Sequence, residues 1–84
     1  MPVQELQTLD RSRLKIGVKQ SSKAITEGCA LKVFVARNAE QHVTRHIIEL
    51  AEGADVEIEL VDSMRTLGQA CRIDVGAATA VITK

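Results

Sequence analysis

Short apolar runs typical of strands alternate along this chain with segments that have the periodicity of helices. The strand patterns lie at residues 14–17, 31–36, 56–61 and the end of 72–83. The helix patterns lie at residues 3–10, 18–27, 39–53 and 64–71. The resulting order is α-β-α-β-α-β-α-β. Strands that alternate with helices of about ten residues predict an α/β fold, with a central sheet that contains parallel pairs between helical layers.

The core of this sheet has to be built almost entirely from aliphatic side chains. The chain has 84 residues, of which 45% are apolar and 26% charged, with one Phe and no Tyr or Trp. This length allows one small domain with a modest core, so we expect residues 1–84 to form a single domain. No internal repeat, linker or low-complexity segment divides the sequence.

The two cysteines, Cys29 and Cys71, have neither the spacing of a metal site nor the number of a disulfide framework. We expect both to be buried, reduced thiols of a cytosolic protein, and a single bridge between them is the alternative. The first ten residues, MPVQELQTLD, lack the basic start and apolar run of a signal peptide. The apolar runs are also far too short to cross a membrane. The expected location is therefore the cytoplasm, without a membrane partner.

The formal net charge is zero, but the charges are separated along the sequence. Residues 11–26 contain five basic residues and no acidic one: Arg11, Arg13, Lys15, Lys19 and Lys23. Residues 40–62 contain seven of the eleven acidic residues against one basic residue, Arg45. This distribution predicts one cationic face, which matters more for an anionic partner than the net charge does.

Sequence signs of an enzyme are weak. His42 and His46 lie four residues apart on a predicted helix, but the glutamate of a metalloprotease helix is missing and no third ligand is evident. Cys71 has no recognisable base partner, so an inert thiol is expected. The carboxylates of residues 55–62 alternate along a strand, as on an exposed face. Without a P-loop or a dinucleotide-binding motif, we expect no enzyme, cofactor, metal or small-molecule substrate.

The stretch GVKQSSK at residues 17–23 is the strongest candidate for a binding site. The first N–H groups of a helix are unsatisfied and partly positive, so a helix start binds anions such as phosphate. Lys19 and Lys23 project from one face, where like charges repel each other, and a cation is also unfavourable near the positive start of a helix. An RNA would reverse both penalties, because it supplies phosphates and guanine edges to which Lys and Gln donate. The alternative is an ordinary lysine-rich, solvated face.

A second candidate is the segment RIDVGAAT at residues 72–79, whose small residues suit a loop close to another surface. Ile73 and Val75 could pack on a flipped-out base, and the backbone of residues 76–78 could contact the nucleic acid. RNA-binding proteins often read unstacked bases in this way. The alternative is a tight turn that contains two ordinary core residues.

Three longer segments carry these candidates: LKIGVKQSSKAITEG, LKVFVARNAE and VDSMRTLGQACRIDVGAATAVI. Their specific motifs are G-x-K-Q-x-x-K at a helix start, L-G-x-A-C in a later helix, and I-D-V-G-A-A before the last strand. In this order and spacing, the chain resembles the kink-turn-binding ribosomal protein superfamily of the L-seven-Ae and L-thirty-e type. The resemblance covers residues 12–83, and the short bacterial YbxF-like branch has the nearest pattern.

The resemblance implies a three-layer α/β/α sandwich with a central four-stranded mixed sheet. It also implies binding to kink-turn RNA, a sharply bent helix with tandem sheared G·A pairs. The helix start would enter the widened major groove, and the loop would support an extruded nucleotide. The implied RNA-binding residues are Gly17, Val18, Lys19, Gln20, Lys23, Ile73, Asp74, Val75, Gly76, Ala77 and Ala78. Charge and position add Lys15 and Arg72 as candidate phosphate contacts.

Two positions depart from the archaeal and eukaryotic members that the chain resembles. Those members usually carry Asn-Glu where this chain has Lys19 and Gln20, and often Pro where it has Gly76. The bacterial branch has Lys-Gln. Because an amide replaces a carboxylate acceptor, we expect fewer base contacts, more phosphate contacts and a steeper salt dependence than in the Asn-Glu type.

The expected partner is a kink-turn in ribosomal RNA or in an mRNA leader, and the expected state is a monomer. One alternative is a protein-interaction module that docks a basic partner through an acidic face formed by Glu57, Glu59 and Asp62. Another is a small enzyme that uses Cys71 or the two histidines.

Overall fold

The computed structural model describes residues 11–84, and the helix predicted over residues 3–10 lies outside them. A short 3-10 turn at Arg11–Arg13 precedes three helices and four strands. The strands are β1 (Leu14–Ile16), β2 (Ala30–Ala36), β3 (Glu57–Val61) and β4 (Thr79–Thr83). The helices are α1 (Val18–Thr26), α2 (Gln41–Gly53) and α3 (Met64–Ala70). From β1 onwards, strands and helices alternate as the sequence predicts.

The four strands form one mixed sheet in the order β1-β4-β2-β3. Strand β4 runs antiparallel to both of its neighbours, β1 and β2. In the described chain β2 and β3 form the one parallel pair, although the alternation of elements predicted more than one. The difference arises because β4 lies between β1 and β2 and runs antiparallel to both strands. This position of β4 also places the loop before it next to the start of α1.

Helices cover both faces of the sheet, so the structure confirms the α/β/α sandwich. Helices α1 and α2 lie on one face, over a cluster that includes Ile25, Val33, Ile47 and Val81. Helix α3 lies on the other face, where Leu67 belongs to a second cluster with Phe34 and Ile82. Phe34, the single aromatic residue, is fully buried, and the rest of the core is almost entirely aliphatic. Each fully buried large side chain contributes about 1.5–3 kcal/mol.

The start of α2 differs from the prediction. The sequence NAEQ predicts that Asn38 caps the helix, but α2 begins after Glu40, whose side chain makes no capping bond. The Asn38 side chain instead accepts, through Oδ1, a 2.7 Å hydrogen bond from the backbone N–H of Met64. Asn38 therefore connects the end of β2 to the start of α3, because a tertiary partner takes precedence over the local capping motif.

The other helix ends largely follow the sequence. The residue before α3, Ser63, is a typical helix cap, and its hydroxyl oxygen accepts a hydrogen bond from the N–H of Thr66 at 3.1 Å. Gly28 follows α1 with φ +77°, the left-handed conformation in which glycine ends helices. At the end of α2 the left-handed residue is Asp55, two positions after Gly53.

Cys29 and Cys71 form no disulfide bond, but only Cys71 is buried as the sequence predicts. Cys29 is half-buried and lines a surface pocket, so the prediction of a buried thiol is wrong for this residue. It lies two residues after the C-cap of α1 and packs, partly buried, against the cluster that includes Ile25 and Val33. None of the helices in the described part of the chain has the length and apolar character needed to cross a membrane.

Candidate nucleic-acid interface

The turn from β1 into α1 is made by Gly17, which has φ +99° and ψ 162°. Residues with a side chain rarely adopt this conformation, so the turn requires glycine. A Cβ at this position would meet no atom within 4 Å, which means that the glycine faces open space. The first turn of α1 contains no acidic residue, and the helix has no side-chain cap. Its first N–H groups are therefore accessible to an anion.

Exposed polar side chains follow this open end along α1. Lys19, Gln20 and Lys23 are all exposed. Lys15 of β1 joins Gln20 and Lys23 around a surface pocket of about 250 Å³, which we call the α1 pocket. Its other lining residues are Ala24, Glu27, Cys29 and Thr83. The cationic residues predicted from two separate elements thus share one surface.

The loop at residues 73–78 follows α3 and packs against that helix. The backbone N–H of Ala77 donates to the carbonyl of Met64 at 3.0 Å. A Cβ on Gly68 of α3 would overlap the carbonyl oxygen of Val75, so glycine allows this close approach. Val75 is nevertheless 70% exposed. The loop is therefore held by its backbone while it presents an apolar side chain to the outside.

Thr79, the first residue of β4, connects this loop to the start of α1. Its carbonyl accepts the N–H of Gly17 at 2.9 Å. Its hydroxyl lies 2.8 Å from that of Ser21, and both side chains are fully buried. One residue earlier, the carbonyl of Ala78 accepts the N–H of Ala36 at 2.8 Å. The helix start and the loop are thus fixed side by side.

Comparison with known protein families identifies this arrangement. The sequence pattern of the ribosomal protein L7Ae/L30e/S12e/Gadd45 family matches residues 3–84 of this chain. The chain belongs to this family. This finding confirms the resemblance that the three sequence segments indicate.

Relatives within the L7Ae family include bacterial, archaeal and eukaryotic proteins. RNA-binding protein YbxF of Geobacillus stearothermophilus is 40% identical over 76 residues, which cover 90% of this chain and 93% of the relative. Large ribosomal subunit protein eL8 of Halobacterium salinarum is 34% identical over 74 residues, 87% of this chain and 62% of the relative. The solved structure of the Giardia lamblia 15.5kD RNA binding protein has a TM-score of 0.84 at 26% identity, and the match covers 98% of this chain and 68% of that one.

The L7Ae-type fold brings the two predicted halves of the site together. The exposed members of the predicted set are Lys15, Lys19, Gln20, Lys23, Arg72, Asp74, Val75 and Gly76. The half-buried members are Gly17, Val18, Ile73 and Ala78. Arg72 has a left-handed backbone, with φ 63°, at the point where the chain leaves α3 for the loop.

Ala77 is the predicted site residue that the fold does not bring to the surface. It is 4% exposed, and its N–H is used by the carbonyl of Met64. Ala77 therefore supports the loop from inside and offers no free backbone donor. The carbonyl of Ala78 is also engaged, by Ala36, so the outer surface of the loop consists of Asp74, Val75 and Gly76.

No sequence motif indicated a role for several residues that shape this interface. Ser21 and Thr79 meet only in the folded chain, and nothing in the sequence pairs them. Cys29 and Thr83 reach the α1 pocket from different elements in the same way. Glu27 had a sequence signal, because it lies seven positions after Gln20 and hence on the same helix face.

The acidic surface suggested as an alternative docking site is partly neutralised within the chain. The Lys32 ammonium lies 3.5 Å from a carboxylate oxygen of Glu57 and 3.4 Å from one of Glu59. The Lys32 side chain is only 13% exposed, and its ammonium also lies 5.2 Å from the ring centre of Phe34. Two of the three proposed acidic residues thus already have a counterion.

The histidines form no metal site in the part of the chain that is described. His42 and His46 are both exposed, and His42 contacts the carboxylate of Glu40 at 3.2 Å. Within residues 11–84, no group of three or more His, Cys, Asp or Glu side chains could hold a metal ion.

Proposed function

We propose that this protein is an RNA-binding protein that recognises and stabilises kink-turn RNA. Family membership supports RNA binding, because its relatives in Geobacillus and Giardia are named as RNA-binding proteins. The observation that carries the kink-turn proposal is the bond between Gly17 and Thr79, which fixes an open, cationic helix start beside an apolar loop. Its proposed setting is the cytoplasm, as a monomer on ribosomal RNA or an mRNA leader.

The α1 half of the interface recognises the phosphates and guanine edges of the G·A pairs. The first N–H groups of α1 and the ammonium groups of Lys19 and Lys23 are donors, which phosphate oxygens and guanine O6 or N7 accept. Gln20 adds an amide that both donates and accepts. Gly17 lets the RNA backbone approach because no Cβ fills the space in front of the turn.

The loop half supports a nucleotide that has left the base stack. Val75 is 70% exposed on a backbone fixed to α3, so it offers a preformed apolar surface. Unstacked bases in RNA are commonly recognised by such contacts. Because the loop is already held in place, little ordering entropy is lost on binding.

Recognition of this kind shifts the RNA towards its kinked form. An ordinary A-form groove is too deep and narrow for side chains, whereas a kink-turn opens it on one side. Only the kinked RNA then offers contacts to both halves of the interface. The protein therefore binds the kinked form more tightly, and the difference in affinity drives the population shift.

The test is a titration of the protein into an RNA hairpin that carries a standard kink-turn and fluorophores at the two helix ends. Energy transfer between the fluorophores should rise at submicromolar protein. A control RNA with Watson–Crick pairs in place of the G·A pairs should stay extended. Repeating the series at several salt concentrations separates phosphate contacts, which weaken with salt, from base contacts.

Equal, salt-sensitive binding to both RNAs would contradict kink-turn recognition and leave a nonspecific phosphate-binding surface. Absence of binding to either RNA would contradict the RNA-binding proposal itself.

A further inference from the structure

The α1 pocket contains chemistry that phosphate binding does not use. Gln20 and Lys23 lie on one face of α1, Glu27 is the C-cap residue at the end of the same helix, and Lys15 reaches the pocket from β1. Glu27 therefore places a carboxylate among two ammonium groups and an amide. A site for phosphate alone would gain nothing from this carboxylate, because it repels anions.

These charged groups are not engaged with one another. Within the described residues, the ion pairs closer than 4.0 Å involve Lys32 and His42, and not Lys15, Lys23 or Glu27. An ion pair between Lys23 and Glu27, four residues apart on a helix, would have been the simplest way to neutralise both. Within residues 11–84, these donors and the acceptor form no ion pair with one another, so they can contact a ligand that carries both kinds of group.

The size of the pocket limits the ligand. Its volume of about 250 Å³ is smaller than the roughly 300–1,000 Å³ of sites for drug-sized molecules. One planar base fits this limit. Ala24, Cys29 and Thr83 also line the pocket, and their side-chain carbon and sulfur atoms can contact a planar base.

Among the bases, guanine matches the polar groups best. An ionised carboxylate only accepts hydrogen bonds and has two oxygens to do so. The guanine N1–H and N2–H₂ groups are two adjacent donors, which such a carboxylate can bind together. Adenine, cytosine and uracil lack that pair of donors. The remaining guanine groups, O6 and N7, and the attached phosphate accept hydrogen bonds and suit the ammonium of Lys15.

We propose that the α1 pocket binds an unpaired guanine nucleotide, whose base donates from N1 and N2 to the carboxylate of Glu27. Lys15, which the G·A pairs do not engage in this scheme, contacts its phosphate or the O6 and N7 edge. This inference rests on the proposed RNA-binding function for the natural source of the nucleotide. A free guanine nucleotide presents the same chemistry, so the experiment has to distinguish the two sources.

The RNA arm compares kink-turn hairpins with an all-uridine loop against hairpins with one guanine, inosine or adenine at each loop position. Wild-type protein should bind at least one guanine RNA about 5- to 150-fold more tightly than the uridine RNA, the range for a good bidentate base contact. Inosine, which lacks the N2 amino group, should lose most of that gain.

The variants Glu27→Gln and Glu49→Gln decide the role of the carboxylate, because Glu49 is an exposed residue of α2 outside the pocket. Both variants remove one negative charge, so simple electrostatics predicts slightly tighter binding to every RNA. The proposal predicts that Glu27→Gln alone loses the guanine preference. If Glu27→Gln and Glu49→Gln show the same preference as the wild type, the RNA source is excluded.

The second arm titrates guanosine monophosphate and adenosine monophosphate into ¹⁵N-labelled protein. Guanine-specific shifts of the Glu27, Cys29 and Thr83 amides, without any preference among the RNAs, would support the site and assign it to free nucleotide. Equal shifts with both nucleotides, or none, together with no RNA preference, would overturn the proposal. Kinking of the uridine RNA by wild-type protein shows separately whether the proposed function holds.

Discussion

The two halves of the interface are built in different ways. On α1, the proposed RNA contacts are side chains on the exposed face of a helix, whose other face buries Ser21, Ala24 and Ile25. In the loop at residues 73–78, the surface is formed by the shape of the backbone, and contacts with α3 determine that shape.

This difference predicts different consequences of mutation. Exposed side chains on α1 can change without loss of stability, because the buried face of the helix is untouched. Changes beneath the loop cannot, because the positions that shape it also pack the domain. Stability and RNA affinity should therefore separate on α1 and change together at the loop.

The largest effect is expected for Gly68→Ala. The new Cβ would overlap the carbonyl oxygen of Val75, so the loop has to move away from α3. Overpacking of this kind costs typically about 1–3 kcal/mol of unfolding free energy, and we expect the upper end because the obstructing atom is backbone. Urea denaturation measures it, and kink-turn binding should fall as well.

Gly53→Ala is the matched control for Gly68→Ala. Gly53 is the last residue of α2, and a Cβ there would meet no atom within 4 Å. Alanine has the higher helix propensity, so stability should stay the same or rise by up to about 1 kcal/mol. Equal destabilisation by the two variants would mean that the loop does not depend on the close approach at Gly68.

Lys23→Ala tests the opposite expectation for α1. Loss of a base-edge contact should reduce kink-turn affinity by about 1–3 kcal/mol, while unfolding free energy hardly changes. Lys32→Ala is the control, because Lys32 is paired with Glu57 and Glu59 and is only 13% exposed. It should cost about 1 kcal/mol of stability and no RNA affinity. Fluorescence titration measures the RNA affinity of both variants, and urea denaturation measures their stability. A loss of stability in Lys23→Ala together with a loss of RNA affinity in Lys32→Ala would contradict the prediction.

Gly17→Ala should affect both properties, because Gly17 is part of the fold and of the RNA-facing surface. At φ +99° and ψ 162°, a side chain costs roughly 1–3 kcal/mol of unfolding free energy. Gly28→Ala introduces similar strain at φ +77°, also in open space, at the other end of α1. If the RNA affinity falls equally in both variants, Gly17 is a turn residue and has no separate part in binding.

Local sequence pattern predicted the elements and the α1 half of the interface. The alternation of apolar runs and helical segments placed the four strands, and the four-residue spacing placed Lys19 and Lys23 on one face. Both are properties of neighbouring residues, which hydrophobic periodicity and helix geometry determine. The small residues of the segment at 72–79 indicated a loop close to another surface, and the family resemblance then implied its role.

The sequence did not predict how distant segments meet. The position of β4 between β1 and β2 is a property of the whole fold, and it reduced the expected parallel pairs to one. Asn38 looked like a helix cap locally, but it binds the N–H of Met64. The L-G-x-A-C motif places Gly68 in a helix, but it does not show the close contact with Val75, which depends on the loop packing back onto α3.

The buried contact between Ser21 and Thr79 joins the two halves, and Ser21→Ala should break it. The Thr79 hydroxyl would remain buried without its partner, which costs about 1–3 kcal/mol. The double variant Ser21→Ala with Thr79→Val removes both polar groups, so it should recover most of that stability. The RNA affinity of this double variant then isolates the role of the hydroxyl contact. Full affinity would show that the backbone bond from Gly17 to Thr79 is enough to align the halves, whereas weak binding in a stable protein would show that the hydroxyl pair sets their relative position.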